Sequence, residues 1–229
     1  MRGRPGGPLF VREAQVPVAR EAFPFLLGLL AAAAVLGVIM GPWGVAPALV
    51  LILFVLFFFR DPARVSPAGE GLVLSPADGR VTEVERGPHG ARISVFLSLF
   101  DCHINRSPVE GTVRQVTHTP GRFHPAWQGR ASHENERNHL VIASRTGEYG
   151  VTQIAGVVAR RIVCAKTIGD SVGRGERIGL IRFGSRTDLH LPPGVEPVVA
   201  VGDRVRGGLT VLAHEAAAAR RASAAGARS

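Results

Sequence analysis

Ile178-Gly179-Leu180-Ile181-Arg182-Phe183-Gly184-Ser185-Arg186-Thr187-Asp188-Leu189-His190-Leu191 is the stretch on which the reading of this chain turns. Residues 178–181 are a short apolar run of the kind that makes a buried strand, and residues 187–191 alternate in polarity. Between two strand-like flanks, Gly184-Ser185 falls at a kink or tight turn in a sheet, where a residue without a Cβ tolerates a strained backbone. The serine hydroxyl then lies within reach of the carbonyl that precedes it. With a base to remove its proton, that oxygen can attack the Gly184 carbonyl in an N-to-O acyl shift. Taken alone, the same two residues also read as an ordinary turn.

Working outward, the chain from residue 60 onward is a series of short β-like runs. They cover residues 72–74, 80–84, 91–99, 111–116, 140–143, 151–154, 157–163, 177–181 and 198–201. Gly, Pro and Asp separate them at short, fairly even spacing, which predicts a mainly β fold, a compact sandwich or barrel. Residues 121–138 are polar and aromatic with little periodicity, a loop long enough to suggest a functional one. Ile168-Gly169-Asp170-Ser171-Val172 is echoed by Val201-Gly202-Asp203-Arg204-Val205. Each reads as a Gly-Asp turn leading into a strand, similar to the hairpins of lipoyl- and biotin-carrier domains. Lys166, the sole lysine, lies before the first turn and lacks the flanking Met residues of biotin carriers. The echo therefore predicts carrier-like hairpins as architecture and not carrier function. Residues 215–229 read as a short helix fraying into a tail.

The amino-terminal quarter is of another kind. Residues 1–22 are flexible and basic, with Arg2, Arg4, Arg12 and Arg20. Residues 23–59 hold two uncharged apolar runs separated by Gly41-Pro42-Trp43-Gly44, where proline breaks or sharply kinks a helix. Each run is short against the ~20 residues that cross a bilayer, and Arg60 and Arg64 follow the second. Positive charge at both ends is met best by a helical hairpin, crossing or deeply embedded, with both ends on one side of a membrane. A single kinked span, which would put positive charge on both faces, comes second. A cleaved signal peptide would need a polar region after its apolar core, and a small β domain could not cover more than thirty apolar residues. The expected divisions are 1–22, the membrane hairpin 23–59, a β domain 60–214 and a tail 215–229. With 229 residues there is room for one good-sized domain plus this appendage. The formal charge of +9 suits an anionic partner. No basic patch interleaved with aromatics accompanies it, so nucleic acid is not the expected partner. Two cysteines, Cys102 and Cys164, are too few for a disulfide framework and fit a reducing compartment.

Four blocks occur in order: Phe58-Phe59-Arg60-Asp61-Pro62, Ser75-Pro76-Ala77-Asp78-Gly79-Arg80-Val81, Asp101-Cys102-His103-Ile104-Asn105-Arg106-Ser107-Pro108, and Arg182-Phe183-Gly184-Ser185-Arg186. Together they resemble the short form of the phosphatidylserine decarboxylase family. The resemblance implies a proenzyme that cuts itself between Gly184 and Ser185, leaving a large chain 1–184 and a small chain 185–229. Ser185 would become a pyruvoyl group that takes the headgroup amine as a Schiff base. Loss of carbon dioxide would then convert phosphatidylserine to phosphatidylethanolamine, with no separate cofactor and no metal. The expected location is the inner cell membrane, with the catalytic domain on the cytoplasmic side where the flanking arginines lie, and an anionic phospholipid is the expected partner. Monomer and homodimer are both left open.

By turn chemistry alone Asp78 is an Asp-Gly turn residue; by resemblance it is the acid of an Asp-His-Ser triad that drives self-cleavage. His103 is the expected base. The longer form of the family carries two histidines three apart in this block, but here the second position is Arg106, which cannot act as a base near neutral pH. Either His103 serves both self-cleavage and decarboxylation, or His118, His124, His133 or His139 takes one role. Arg106 would bind a carboxylate or phosphate. His133 and Arg137, within residues 132–139, are expected in a loop covering the headgroup site. His133 and His139 lack helical i, i+4 spacing and match no zinc motif. Cys102 and His103, adjacent on a strand, would face opposite ways. Two other readings compete: decarboxylation of another serine-headed lipid such as archaetidylserine, and a non-catalytic, membrane-anchored, carrier-like β module.

Overall fold

A computed structural model of the chain describes residues 17–122, 134–156, 161–182 and 184–215. The apolar stretch forms two helices, α1 (Phe23–Met40) and α2 (Pro42–Phe58), preceded by a 3-10 turn over Arg20–Ala22. Gly41 reverses the chain between them at φ +63°. A Cβ at Gly44 would lie 2.4 Å from the Leu36 carbonyl oxygen, so the glycine lets the helices meet closely. The two ends of the hairpin are fastened together. Phe25 stacks on Phe59 with centroids 5.7 Å apart, the Ala19 amide donates to the Phe59 carbonyl at 2.7 Å, and the Asp61 amide donates to the Pro17 carbonyl at 2.7 Å. Both ends therefore leave on the same side. Apolar side chains point outward all round, Val38 and Trp43 being more than four-fifths exposed. The continuous helical stretch Arg20–Met40 has 21 residues, a length of about 31 Å against a hydrocarbon core of about 30 Å; the 17 residues of α2 reach about 25 Å.

The rest of the described chain is antiparallel β, as the short alternating runs predict. In chain order the strands are β1 (Leu72–Leu74), β2 (Gly79–Gly87), β3 (Gly90–Leu97), β4 (Ile104–Arg106), β5 (Gly111–Thr119), β6 (Arg137–Ser144) and β7 (Gly147–Ile154). They continue with β8 (Ile162–Cys164), β9 (Ser171–Val172), β10 (Arg177–Ile181), β11 (Ser185–Leu191), β12 (Val195–Pro197), β13 (Arg204–Val205) and β14 (Val211–Glu215). A curled eight-stranded sheet has the order β13-β2-β3-β11-β7-β6-β5-β9 and is flanked by two three-stranded sheets, β1-β14-β12 and β4-β10-β8. Its inner face, with Val81, Ile93, Val95, Val113, Leu140, Ile142, Val151 and Leu189, forms the main core. A second cluster joins Ile104, Cys102 and Leu180 to Phe58, Phe59, Val55 and Ala19 at the hairpin base.

Three local expectations are corrected. Residues 198–201 are not a strand: the strand lies earlier, at Val195–Pro197, because the Asp203 carboxylate takes the Ala200 amide and closes a turn. β3 stops at Leu97 instead of running to residue 99, because the Asp101 carboxylate captures the Ser98 amide and hydroxyl. Glu215 ends a strand instead of starting a helix, and residues 216–229 lie outside the described residues.

The Gly-Asp echo is part of a larger duplication. Ser75-Pro76-Ala77-Asp78-Gly79-Arg80-Val81 returns as Ser107-Pro108-Val109-Glu110-Gly111-Thr112-Val113, and the bonds match. Each serine hydroxyl donates to the carbonyl two residues on, at 2.6 Å. The Leu74 amide donates to Pro108 and the Arg106 amide to Pro76, both at 2.9 Å; Gly202 donates to Val81 and Gly169 to Val113, both at 2.8 Å. Strands β1, β2, β3, β11, β12, β13 and β14 thus correspond in order to β4, β5, β6, β7, β8, β9 and β10. The second half is inserted into the first, between β3 and β11. The segment ending at Gly184-Ser185 re-enters the first half where the second half has only the tight β6–β7 connection.

Candidate active site

Gly184 adopts φ +40°, a left-handed conformation that favours glycine, and a Cβ there would meet nothing within 4 Å. The glycine is therefore required by the backbone turn and not by crowding. Ser185 opens β11, paired with Leu97 of β3, and is fully buried. Phe183 lies outside the described residues.

Register places His103 at the same end. The chain folds back between β10 and β11: a Cβ at Gly179 would touch the Gln153 amide at 3.0 Å, and Gln153 pairs with Thr187. Asn105 pairs with Gly179 on one side and donates from Nδ2 to Thr187 Oγ1 at 3.2 Å on the other. His103 precedes Asn105 by two residues, as Ser185 precedes Thr187. The His103 carbonyl accepts from the Ile181 amide at 3.2 Å. Ile181 packs with Ala155, one residue beyond Ile154, the partner of Arg186. His103 and Ser185 therefore occupy one level of the fold. A line of buried amides maintains this alignment: Asn138 Nδ2 donates to Gln153 Oε1 at 3.0 Å, and Gln153 Nε2 donates to Asn105 Oδ1 at 2.9 Å.

Among the described residues, Ser185 Oγ and His103 Nε2 are both buried without a hydrogen-bond partner. Leaving such a group without a partner costs about 1–3 kcal/mol, so each calls for a reason. The imidazole tautomer follows from its other nitrogen. Nδ1 lies 3.0 Å from the Asp101 carbonyl oxygen, which can only accept, so Nδ1 carries the proton and Nε2 the lone pair. The ring lies on Phe58 with centroids 4.2 Å apart. Burial lowers the His103 pKa to about 4, with the Asp101 carbonyl pulling the other way, so the ring is neutral across the physiological range.

Asp78 does not hydrogen-bond His103. Its carboxylate receives Arg64 Nη1 and Nη2 at 2.5 and 2.8 Å and the Gly207 amide at 2.8 Å, and it reaches the imidazole only through its charge. Arg106 is also occupied. Its buried guanidinium binds Asp61 at 2.5 Å, the Pro62 carbonyl at 3.2 Å and the Gly175 carbonyl at 3.1 Å, so it ties down the linker, while Nε has no partner among the described residues. Arg137 opens β6 on the opposite face of the eight-stranded sheet from Ser185. There it lines a shallow groove with Arg92, His139, Thr152, Asp188 and His190. His139 is on this strand and not in a loop, bonded to Thr152 at 2.8 Å. His118 is exposed at the end of β5, 3.8 Å from Glu136, while His124 and His133 lie outside the described residues. Burial raises the Cys102 thiol pKa, and its sulfur contacts the Arg60 carbonyl. Lys166 is bound to Glu176 at 2.5 Å and does not stand free at a hairpin tip as a carrier lysine would.

The Asp101 carbonyl, Asn105, Gln153 and Thr187 were not expected from sequence. The period of two that puts residue 105 on the face of residue 103, and 187 on that of 185, was legible; that the two faces meet was not.

A buried serine at the head of a strand, behind a left-handed glycine and level with a neutral histidine whose Nε2 has no partner, places the candidate chemistry of this mainly β protein at the Gly184-Ser185 turn. The family model described as phosphatidylserine decarboxylase matches residues 51–213. A protein of Beijerinckia indica subsp. indica named phosphatidylserine decarboxylase proenzyme is 48% identical over 209 residues, covering 86% of this chain and 89% of that protein. The chain belongs to the phosphatidylserine decarboxylase family, a family of carboxy-lyases.

Proposed function

We propose that this chain is a self-processing, pyruvoyl-dependent decarboxylase that converts phosphatidylserine to phosphatidylethanolamine, anchored by α1 and α2 with the β domain on the cytoplasmic face of the cell membrane. The observation that carries the proposal is the pair of unpartnered buried atoms, Ser185 Oγ and His103 Nε2. A neutral imidazole with a free Nε2 lone pair, at the same level of the fold as a buried hydroxyl, has the chemistry of a general base for that hydroxyl.

His103 Nε2 takes the proton of Ser185 Oγ, and the oxygen attacks the Gly184 carbonyl carbon. The C–N bond breaks, the nitrogen leaves as the protonated amine, and Gly184 is held as an ester on Ser185. Removal of the Ser185 Cα proton expels Gly184 as a free carboxylate and leaves dehydroalanine. Its imine tautomer takes up water and releases ammonia, giving the pyruvoyl group at the new amino terminus. That group supplies a carbonyl that captures the headgroup amine and receives the electron pair left as carbon dioxide departs. Burial of Ser185 and His103 shields the site from bulk water, and His103 holds a proton for the carbon that has lost its carboxylate. Asp78 acts on this site through its field and through the Arg64–Gly207 contacts, with the Asp101 carbonyl orienting the ring. The hairpin base, where both helix ends are bonded together, supports a re-entrant or twice-crossing anchor with the β domain on one side.

Intact-mass measurement of the purified wild type should show two chains, 1–184 and a blocked 185–229, with decarboxylation of phosphatidylserine vesicles. Ser185→Ala should give one uncut chain and no turnover. An active wild type with a continuous chain and an unmodified serine would defeat the proposal.

A further inference from the structure

We infer that the turn at residues 98–101 is a second membrane contact, seated in the headgroup layer, that sets the depth of His103; the inference rests on reading α1 and α2 as the membrane hairpin. The turn carries Leu99 and Phe100 at its tip, 41% and 73% exposed; the other large apolar side chains exposed on the described β domain, Val65, Ile168, Val198 and Val201, are all aliphatic. The tip is rigid. Asp101 accepts from the Ser98 amide at 2.9 Å and from its hydroxyl at 2.6 Å, and the Asp101 amide returns to the Ser98 carbonyl at 3.0 Å.

One arginine fastens this turn to the end of α2. Arg60 Nη1 donates to the Phe57 carbonyl at 2.7 Å and Nη2 to the Phe100 carbonyl at 2.6 Å, while the guanidinium lies 4.0 Å above the Phe57 ring. Phe57, itself 43% exposed, belongs to the last turn of α2. Because a single guanidinium bridges both carbonyls, Phe57 and Phe100 lie at nearly one depth, with the charge at the boundary where arginine side chains snorkel. Continuity with an apolar helix end, bordered by a cation, makes the occupant of this surface a lipid bilayer.

The turn is also joined to the site. The Asp101 carbonyl that closes it receives His103 Nδ1–H, and the imidazole rests on Phe58 of α2. Seating Phe100 in the interface therefore fixes the histidine, and Ser185 at the same level of the fold, where a lipid amine and carboxylate reside.

The test uses full-length protein carrying Trp43→Phe and Trp127→Phe, with a single tryptophan restored by Phe100→Trp. The control is His89→Trp, at the far end of the eight-residue β3, roughly 26 Å away. In phosphatidylcholine–phosphatidylserine vesicles the Phe100→Trp probe should emit at shorter wavelength than the control. Phospholipids brominated high on the acyl chain should quench it, and the control should not respond. Protein that floats with the vesicles yet shows equal quenching of both probes overturns the inference. Protein that does not float at all overturns the hairpin reading and this inference with it. In a second measurement, Phe100→Asp should raise the apparent KM for vesicle-borne phosphatidylserine by about tenfold, with complete self-cleavage reporting an intact fold. An unchanged KM would overturn the inference.

Discussion

At the scale of single residues, the candidate site contains a histidine, His103, whose burial keeps it uncharged. Below its unfolded pKa of about 6.5, the unfolded chain binds a proton that the folded one refuses until about pH 4. Histidine's contribution to stability is thus intact above about pH 6.5 and declines as pH falls toward 4. For the same reason, self-cleavage by His103 should be insensitive to pH between neutrality and about pH 6, then fall toward pH 4. A stopped-time gel assay across this range checks it, and a rate that already halves near pH 6.5 would assign the base to a less buried histidine. Thr187 offers a separate measure. Thr187→Val removes the hydroxyl that receives Asn105 while preserving shape, and should slow self-cleavage by tenfold or so while destabilising the fold by about 1 kcal/mol. Thr187→Ser should restore the rate; equal rates in both variants would show that the amide line does not align His103 with Ser185.

At the scale of elements, β11 is the piece that cleavage would free at its start, and it lies in the middle of the eight-stranded sheet. It pairs along its length with β3 on one side and with β7 on the other. The same small chain supplies β14, which pairs with β1 of the large one. Arg186, buried beside Ser185, adds a bidentate grip on Asp188 and Glu83 across the strands. Breaking the Gly184–Ser185 bond therefore removes none of these pairings. Chains 1–184 and 185–229 should co-purify through size exclusion and separate only in denaturant; dissociation in native buffer would contradict the register described here.

At the scale of the molecule, the base of the hairpin packs into the β domain and is not a detachable leash. Ala19, Val55, Phe58 and Phe59 cover Ile104, Cys102 and Leu180, and Phe58 also forms the floor under His103. A chain starting at residue 60 should therefore expose an apolar face, require detergent to remain monodisperse, and self-cleave more slowly than the full chain. Size exclusion with and without detergent, paired with a cleavage time course, decides this. Processing at the full rate in a detergent-free monomer would show that the β domain needs no cover.

The sequence by itself determined the β class, the apolar hairpin and the Gly-Ser turn, because each rests on local chemistry: alternation along a strand, a long uncharged run, and a glycine that alone accepts a left-handed turn. It showed only a fragment of the duplication, since Ser-Pro-Ala-Asp-Gly and Ser-Pro-Val-Glu-Gly share their form more than their letters. The tertiary structure alone decided which groups meet. Asp78 and Arg106 are charges, and a charge in a folding chain goes to whichever opposite charge the topology brings near; here those are Arg64 and Asp61, far away in sequence or hidden in a linker. The orienting partner of His103 is a backbone carbonyl, which every residue carries and no side-chain pattern reveals. Its alignment with Ser185 arises only when β10 and β11 fold back and bring Asn105 against Thr187.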